Sequence, residues 1–322
     1  MQVFKSGLPS SLDSEPVVTI GSFDGLHVGH KKIIDAVKTR ARALKTVSGV
    51  ITFSPLPIIY FSPNFTYLVT SEQEREDLIQ SAGVDFIYYF QFDKQFAELP
   101  PQAFLERVKT VLNPQGIIVG HNHRFGRNQL GDIALLKKLG RKLDIPVQII
   151  RPKATGGAKI SSTRIRESLL LGNVTLANRM LGYQYTIQGT VVPGHGRGRQ
   201  LGFPTINIKI RYDKSVDGAH KLVPLDGVYI TRVAVGPKVF SGVMSIGRRP
   251  TFEDSPTGDE RWMEVHLLDF NQDLYGATVK IFFVKRLRPI RRFRDERSLV
   301  EVIRGDIAKA RHYFRVRRHI TP

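Results

Sequence analysis

The hydrophobic pattern of this chain changes period partway along, and that change restricts the folds open to it. Over the first half, short β-branched runs alternate with amphipathic stretches of helical spacing. Val17-Val18-Thr19-Ile20, Val50-Ile51-Thr52-Phe53, Phe86-Ile87-Tyr88-Tyr89-Phe90, Gly116-Ile117-Ile118-Val119-Gly120 and Val147-Gln148-Ile149-Ile150 read as five strands. Between them His30 to Leu44, Ser71 to Ala82, Pro101 to Leu112 and Asp132 to Leu143 read as helices. In the first of these, Ile33, Ile34, Val37, Ala41 and Leu44 share one side. Apolar strands alternating with helices predict an α/β domain with a parallel sheet covered on both faces. Ser161 to Leu171 and Asn173 to Gly182 add two helices, and then the helical period stops. From Tyr185 the chain reads as closely spaced strands with Gly and Pro between them: Tyr185–Val192, Thr205–Ile210, Gly227–Val235, Phe240–Ile246, Trp262–Leu268 and Thr278–Leu287. That spacing predicts a small antiparallel β-barrel, closed by a terminal helix over Ser298 to Arg315. The full 322 residues exceed one ordinary core. The expected domains are 1–184 and 185–322.

Composition narrows the class. A hydrophobic fraction of 41% is enough for real cores. The chain has no cysteine, which excludes disulfides and thiolate metal sites. Met1 to Ser14 holds one lysine and no apolar run, so no signal peptide is expected, and no stretch approaches the roughly 20 apolar residues of a membrane span. A soluble cytoplasmic protein without a membrane partner is the expectation. The net charge of +19 suits anionic partners, whether phosphate-rich small ligands, nucleic acid or an anionic membrane surface. From Lys285 to Arg318 there are thirteen Lys and Arg against four Asp and Glu, a concentration that also fits a solvated helix.

Chemistry concentrates first in Gly21-Ser22-Phe23-Asp24-Gly25-Leu26-His27-Val28-Gly29-His30, between a predicted strand and a predicted helix. Sheets of this kind bind ligands at the carboxyl ends of their strands. Gly21 and Gly25 permit a tight turn, and His27 and His30, three apart at a helix start, point the same way. Two imidazoles beside free helix N–H groups suit a phosphate chain and the charge that develops as pyrophosphate leaves. Two surface histidines, or a histidine metal pair lacking a third ligand, are the other readings. Further on, Ser162 or Thr163 caps a helix whose free N–H donors, with Arg166, suit an anion. Asn122 could hold a phosphate or ribose through its amide.

The HxGH signature after a glycine turn resembles the nucleotidyltransferase superfamily. Its setting resembles the flavin adenylyltransferase module of bacterial bifunctional riboflavin kinase/FAD synthetases. Ile51-Thr52-Phe53-Ser54-Pro55-Leu56-Pro57 resembles that module's TFDPHP segment. Val119-Gly120-His121-Asn122-His123-Arg124-Phe125-Gly126 resembles its VGxNFxFG loop, and Ile160-Ser161-Ser162-Thr163-Arg164-Ile165-Arg166 its ISSTxIR segment. The resemblance implies a Rossmann-like nucleotidyltransferase fold. It implies that Gly21, Phe23, Asp24, Gly25, Asn122, Ser162 and Thr163 bind ATP, with His27, His30 and Arg166 catalytic and Phe53, Pro55 and Phe125 on the flavin. The family's Asp and His of DPHP are Ser54 and Leu56 here, and the Phe after Asn is His123.

A second site lies in His195-Gly196-Arg197-Gly198-Arg199-Gln200-Leu201-Gly202-Phe203-Pro204-Thr205-Ile206-Asn207, between two predicted strands. Its glycines free the backbone and its arginines bring charge, so a flexible loop there can wrap phosphates. It is not a Walker motif, which needs Gly-Lys-Ser/Thr before a helix. Thr205 and Asn207, two apart on a strand, face one side, and a hydroxyl and an amide oxygen suit Mg²⁺. A Gly-rich hairpin carrying surface arginines is the plainer reading. The stretch closely resembles the riboflavin kinase module's GxGRxLGFPTAN. Asp226-Gly227-Val228-Tyr229, the GxxPTF-like segment Gly242 to Phe252, Glu264 to Phe270 and Asp273-Leu274-Tyr275-Gly276 follow in family order. The resemblance implies phosphate binding by Gly194, Gly196, Gly198 and Arg199, metal binding by Thr205 and Asn207, Glu264 as general base, and flavin contacts at Arg288 and Phe293. Where the family has RxExxF, this chain has Arg288-Pro289-Ile290-Arg291-Arg292-Phe293.

The expected reaction sequence is phosphorylation of riboflavin to FMN by ATP with Mg²⁺, then adenylylation of FMN to FAD with release of pyrophosphate. Its partners are small molecules: ATP, riboflavin and FMN. A kinase with an altered N-terminal module, prompted by Ser54 and Leu56, is the alternative. A basic nucleic-acid-binding protein is the alternative of another class, against which stands the lack of interleaved aromatics or a known binding module. Nothing in the sequence specifies an oligomeric state.

Overall fold

The computed structural model describes residues 1–5, 14–62, 67–151, 154–155, 158–194, 196–210, 220–248 and 261–316. They form two compact units, Met1–Arg164 with Asp213–Leu222, and Ile165–Tyr212 with Val223–Pro322.

The first unit contains strands β1 (Gln2–Phe4), β2 (Val17–Ile20), β3 (Ser48–Ser54), β4 (Tyr67–Leu68), β5 (Phe86–Gln91), β6 (Gly116–Gly120), β7 (Val147–Ile150), β8 (Ala154–Thr155) and β9 (Ala158–Lys159). Its helices are α1 (Val28–Ala43), α2 (Pro57–Phe61), α3 (Glu72–Ser81), α4 (Lys94–Ala97), α5 (Pro101–Leu112) and α6 (Ile133–Lys142). Six strands form one parallel sheet in the order β1-β5-β3-β2-β6-β7. Val18, Ile51, Phe86 and Ile117 bury one face beneath α5 and α6 through Phe104, Leu105, Val108 and Leu136. Val50 and Ile87 bury the other beside Ile34 of α1 and Ile79 of α3. Gly49 is required there, since a Cβ would lie 2.1 Å from the Phe86 ring.

Helix starts follow capping chemistry. Ser71 and Glu74 form a reciprocal capping box on α3, and Asp132 caps α6 by accepting from Leu135 N–H at 2.9 Å. The five-strand expectation is corrected to six. Strand β1 is three residues at the sheet edge, too short to show a period. The β8–β9 hairpin and helices α2 and α4 escaped for the same reason.

The second unit takes most of α7 (Ser162–Leu170), α8 (Val174–Leu181), and β10 (Thr186–Val192), α9 (Arg197–Gln200) and β11 (Ile206–Ile210). Strand β12 (His220–Lys221) belongs to the first unit, and the chain returns as β13 (Gly227–Val235), β14 (Lys238–Arg248), β15 (Arg261–Leu267), β16 (Thr278–Arg288) and α10 (Glu296–Val316). A closed antiparallel barrel forms in the order β10-β11-β15-β14-β13-β16. Met263, Val265 and Leu267 alternate inward on β15. Helix α10 packs Ala310, Ile307 and Phe314 against Ile230 and Val284. No helix among the described residues is long and apolar enough to cross a membrane.

Candidate active sites

At the carboxyl end of β2 the chain turns through left-handed backbone at Phe23 (φ 50°), Gly25 (φ 79°) and Leu26 (φ 28°). Such conformations cost about 1–3 kcal/mol in a non-glycine residue and persist only where surroundings impose them. Here the surroundings are the segment after β4. Asp24 is buried, and its carboxylate accepts from the N–H of Val69 (3.2 Å), the N–H of Thr70 (2.9 Å) and the Thr70 hydroxyl (3.1 Å). Gly25 N–H donates to Thr70 Oγ1 at 3.0 Å, and Ser162 Oγ donates to the Asp24 carbonyl at 2.8 Å. Asp24 was expected among the phosphate ligands. Its carboxylate points at backbone N–H donors and shapes the turn. Nothing in the sequence pattern marked Thr70 as its partner.

His27 caps α1, its Nδ1 accepting from His30 N–H at 3.2 Å, which leaves the proton of the neutral ring on Nε2. The two imidazoles stack at 3.6 Å with planes 12° apart. Gly29 makes this possible, because a Cβ there would come within 3.0 Å of His27 Cε1. Phe23 meets His30 edge-on at 5.1 Å, and its ring lies over Gly21, where a Cβ would be 3.3 Å away. Burial lowers the His27 pKa to about 4. Burial, then the adjacent His27, hold His30 well below its ordinary value. His30 Nδ1 is buried without a hydrogen-bond partner. The site is therefore a stacked pair of neutral imidazoles with polar edges to offer a ligand.

Strand β6 neighbours β2, so its terminal loop lies beside this turn. Asn122 is exposed there and folds over Gly120, whose Cβ would lie 3.5 Å from Asn122 Oδ1. Thr163 is exposed and Arg166 half-buried on α7. A cleft of about 710 Å³ opens over the ends of β1, β3 and β5, lined by Lys5, Ser54, Pro55, Tyr60, Tyr89 and Phe92 among others. Pro55 lines this cleft. Phe53 and Phe125 belong to the core cluster of the first unit. Phe53 is 9% exposed and meets Phe92 and Phe96 edge-on, while Phe125 is 5% exposed between Phe104 and His123. Ser54 Oγ donates to Glu72 at 2.6 Å. Burial opposes ionisation of Glu72, but the Ser54 hydroxyl and Lys5 hold its pKa below the usual value. Leu56 is 2% exposed against Leu68, Ile58 and Ile59. Both departures from the family pattern therefore have local packing roles.

In the barrel, Asn207 of β11 stands opposite Glu264 of β15, which stands opposite Ser245 of β14. Directly opposed residues share a face, so the amide, carboxylate and hydroxyl form a row on the side away from Met263 and Val265. The glycine loop closes over this row. A Cβ on Gly194 would lie 1.9 Å from the Asn207 amide, and one on Gly198 3.0 Å from Thr205 Oγ1. Asn207 is 6% exposed, and its Oδ1 has no hydrogen-bond partner. The expected flexible loop is corrected in part: Arg197–Gln200 is a short helix, with Gly196 left-handed before it and Phe203 N–H donating to the Gly198 carbonyl at 2.8 Å. Arg199 is exposed. His195 and Arg249 to Phe252 lie outside the described residues.

Arg288 and Phe293 pack together. Arg288 Nε donates to the buried Asp306 of α10 at 2.8 Å, and its guanidinium sits 5.9 Å over the Phe293 ring. Phe293 also carries Arg291 at 4.9 Å. The guanidinium is engaged in holding α10, which its sequence context did not reveal.

The chain matches two families in succession. The FAD synthetase family matches residues 10–164, and the riboflavin kinase family matches residues 181–314. The "Bifunctional riboflavin kinase/FMN adenylyltransferase" of Listeria monocytogenes is 33% identical over 307 residues, covering 94% of this chain and 93% of that protein. The protein of the same description from Escherichia coli is 34% identical over 301 residues, covering 92% of each. A crystal structure titled "Macrolide-efflux Protein from Streptococcus pneumoniae" superposes with a TM-score of 0.86 at 31% identity, covering 97% of this chain and 99% of that one.

Proposed function

The chain belongs to the family of bifunctional riboflavin kinase/FMN adenylyltransferases, and from that premise we propose how its residues divide the work. It phosphorylates riboflavin to FMN and adenylylates FMN to FAD. We assign the adenylyltransferase to residues 1–184 and the kinase to 185–322, acting in the cytoplasm.

In the kinase, Glu264 takes the proton of the ribityl 5′-hydroxyl as that oxygen attacks the γ-phosphate of ATP and ADP leaves. Gly194, Gly196 and Gly198 let the loop backbone approach the phosphates, and Arg199 adds charge. Thr205 and Asn207 fit Mg²⁺: the Asn207 carbonyl oxygen is buried and lacks a partner. A divalent ion there supplies charge neutralisation on the phosphates. The observation that carries the kinase reading is the cross-strand pairing of Asn207 with Glu264 beneath the glycine loop.

In the adenylyltransferase, the FMN phosphate oxygen attacks the α-phosphate of ATP and pyrophosphate leaves. His27 and His30 donate N–H bonds to the phosphate oxygens as charge grows on them. Gly21, Phe23 and Gly25 form the turn against the nucleotide, which Asp24 shapes. Asn122, Ser162 and Thr163 complete the nucleotide contacts, and Pro55 borders the flavin. Among the described residues, three of the thirteen C-terminal basic residues are ion-paired: Arg288 with Asp306, Arg311 with Asp269 and Arg297 with Glu301.

The test is chromatography of flavins after incubating the full chain with riboflavin, ATP and Mg²⁺. FMN followed by FAD is expected. FMN alone overturns the adenylyltransferase assignment, and unchanged riboflavin overturns both.

A further inference from the structure

We propose that Lys221 is a positioning residue for the nucleotide turn of the adenylyltransferase, although it lies in sequence between two strands of the kinase barrel. The inference rests on the adenylyltransferase reading and adds to it a residue that contacts no substrate. Strand β12 joins the first unit by pairing in parallel with β4, His220 opposite Tyr67 and Lys221 opposite Leu68. Leu222 N–H donates to the Leu68 carbonyl at 2.9 Å. Lys221 is 8% exposed. Its ammonium donates to the Val69 carbonyl at 2.7 Å and to Glu74 Oε2 at 2.5 Å. That same Glu74 oxygen accepts from Ser71 N–H at 3.0 Å in the α3 capping box.

Val69 and Thr70 thus sit between two charged groups. On one side Lys221 holds the Val69 carbonyl. On the other, the Val69 and Thr70 N–H groups and the Thr70 hydroxyl hold Asp24, and Thr70 holds Gly25 N–H. The left-handed backbone at Phe23 and Leu26 has to be imposed from outside, and this segment imposes it. A buried ammonium with a carboxylate and a carbonyl is geometrically demanding, so it holds the segment in one register. When Lys221 is removed, the turn samples conformations that do not accept the nucleotide. Apparent affinity falls with the competent fraction, while turnover of the bound complex is retained.

The experiment uses full-length Lys221→Met and, as a second variant that keeps an acceptor for Ser71, Glu74→Gln. Two measurements are made on each. In steady-state FAD formation from FMN and ATP, the KM for ATP should rise by about tenfold with kcat within about twofold, while riboflavin phosphorylation stays within about twofold of the parent. In hydrogen exchange, peptides covering residues 21–26 and 68–71 should lose protection relative to the rest of the parallel sheet. An ATP KM and an exchange pattern equal to the parent's in a folded variant overturn the proposal, whatever happens to the melting temperature. If Lys221→Met does not fold, Glu74→Gln decides alone. If the parent itself makes no FAD, the functional reading fails, and the exchange measurement still decides whether Lys221 holds the turn.

Discussion

Single atoms decide what the two sites can do. Gly29 is the plainest case, because any side chain there meets the His27 ring. Gly29→Ala should displace that ring and lower FAD formation from FMN by at least about tenfold, leaving riboflavin phosphorylation unchanged. Chromatography of both reactions checks this, and equal loss of both would show a general folding defect instead. Glu264→Gln keeps the shape of the carboxylate and removes its basicity. Riboflavin phosphorylation should fall by about 10²- to 10⁴-fold, whereas adenylylation of supplied FMN continues. A variant that still phosphorylates at the parent rate would remove Glu264 from the role of base. At this scale the sequence was informative about residue types and uninformative about their partners. The spacing of His27 and His30 implied a shared direction, and stacking at 3.6 Å bears that out. That Asp24 faces Thr70, 46 positions away, was not visible, because no local pattern encodes a hydrogen bond between distant loops.

Elements were legible in proportion to their length and periodicity. Helix α5 and strands β6, β7 and β13 occupy the expected residues, since each is a sustained run bounded by Pro, Gly or Asn. The short helix Arg197–Gln200 and the two-residue strands β4 and β12 were invisible, being shorter than any period. Their stability comes from tertiary bonds rather than propensity. Helix α10 shows the same principle on a longer element. Its charged sequence reads as a solvated face, yet Asp306 is buried and bonded to Arg288. Asp306→Ala should leave Arg288 uncompensated and lower the stability of the barrel unit by about 2–4 kcal/mol, less than for a fully buried pair because the Arg288 side chain is 19% exposed. Urea denaturation followed by the near-ultraviolet signal of the barrel unit checks it. A change below about 0.5 kcal/mol would mean the pair is solvated in practice.

At the scale of the whole molecule, buried histidines tie stability to pH. His27 and His123 are lowered by burial to about 4, and His30 lies well below its ordinary value. Each takes up a proton more readily unfolded, near the ordinary value of 6.5, than folded. Stability of the parallel-sheet unit is therefore fully present above about pH 7 and falls as the pH drops through 6.5 toward 4. By pH 5 the loss should reach about 2 kcal/mol for His27 and for His123. Urea titrations at pH 7.5 and pH 5.0 measure it, and His123→Asn should remove its own share of the difference. Equal midpoints at the two pH values would contradict the burial of these rings. The alternation of periods along the chain by itself determined the α/β unit, the barrel and the order of the motifs, because those depend on local propensity and on which residues must leave water. Only the tertiary structure decided that Asp24 bonds the backbone after β4, that Phe53 and Phe125 are core, and that β12 pairs with β4. Each of those outcomes depends on contacts between residues far apart in sequence, and distance along the chain carries no information about which buried polar group will satisfy which.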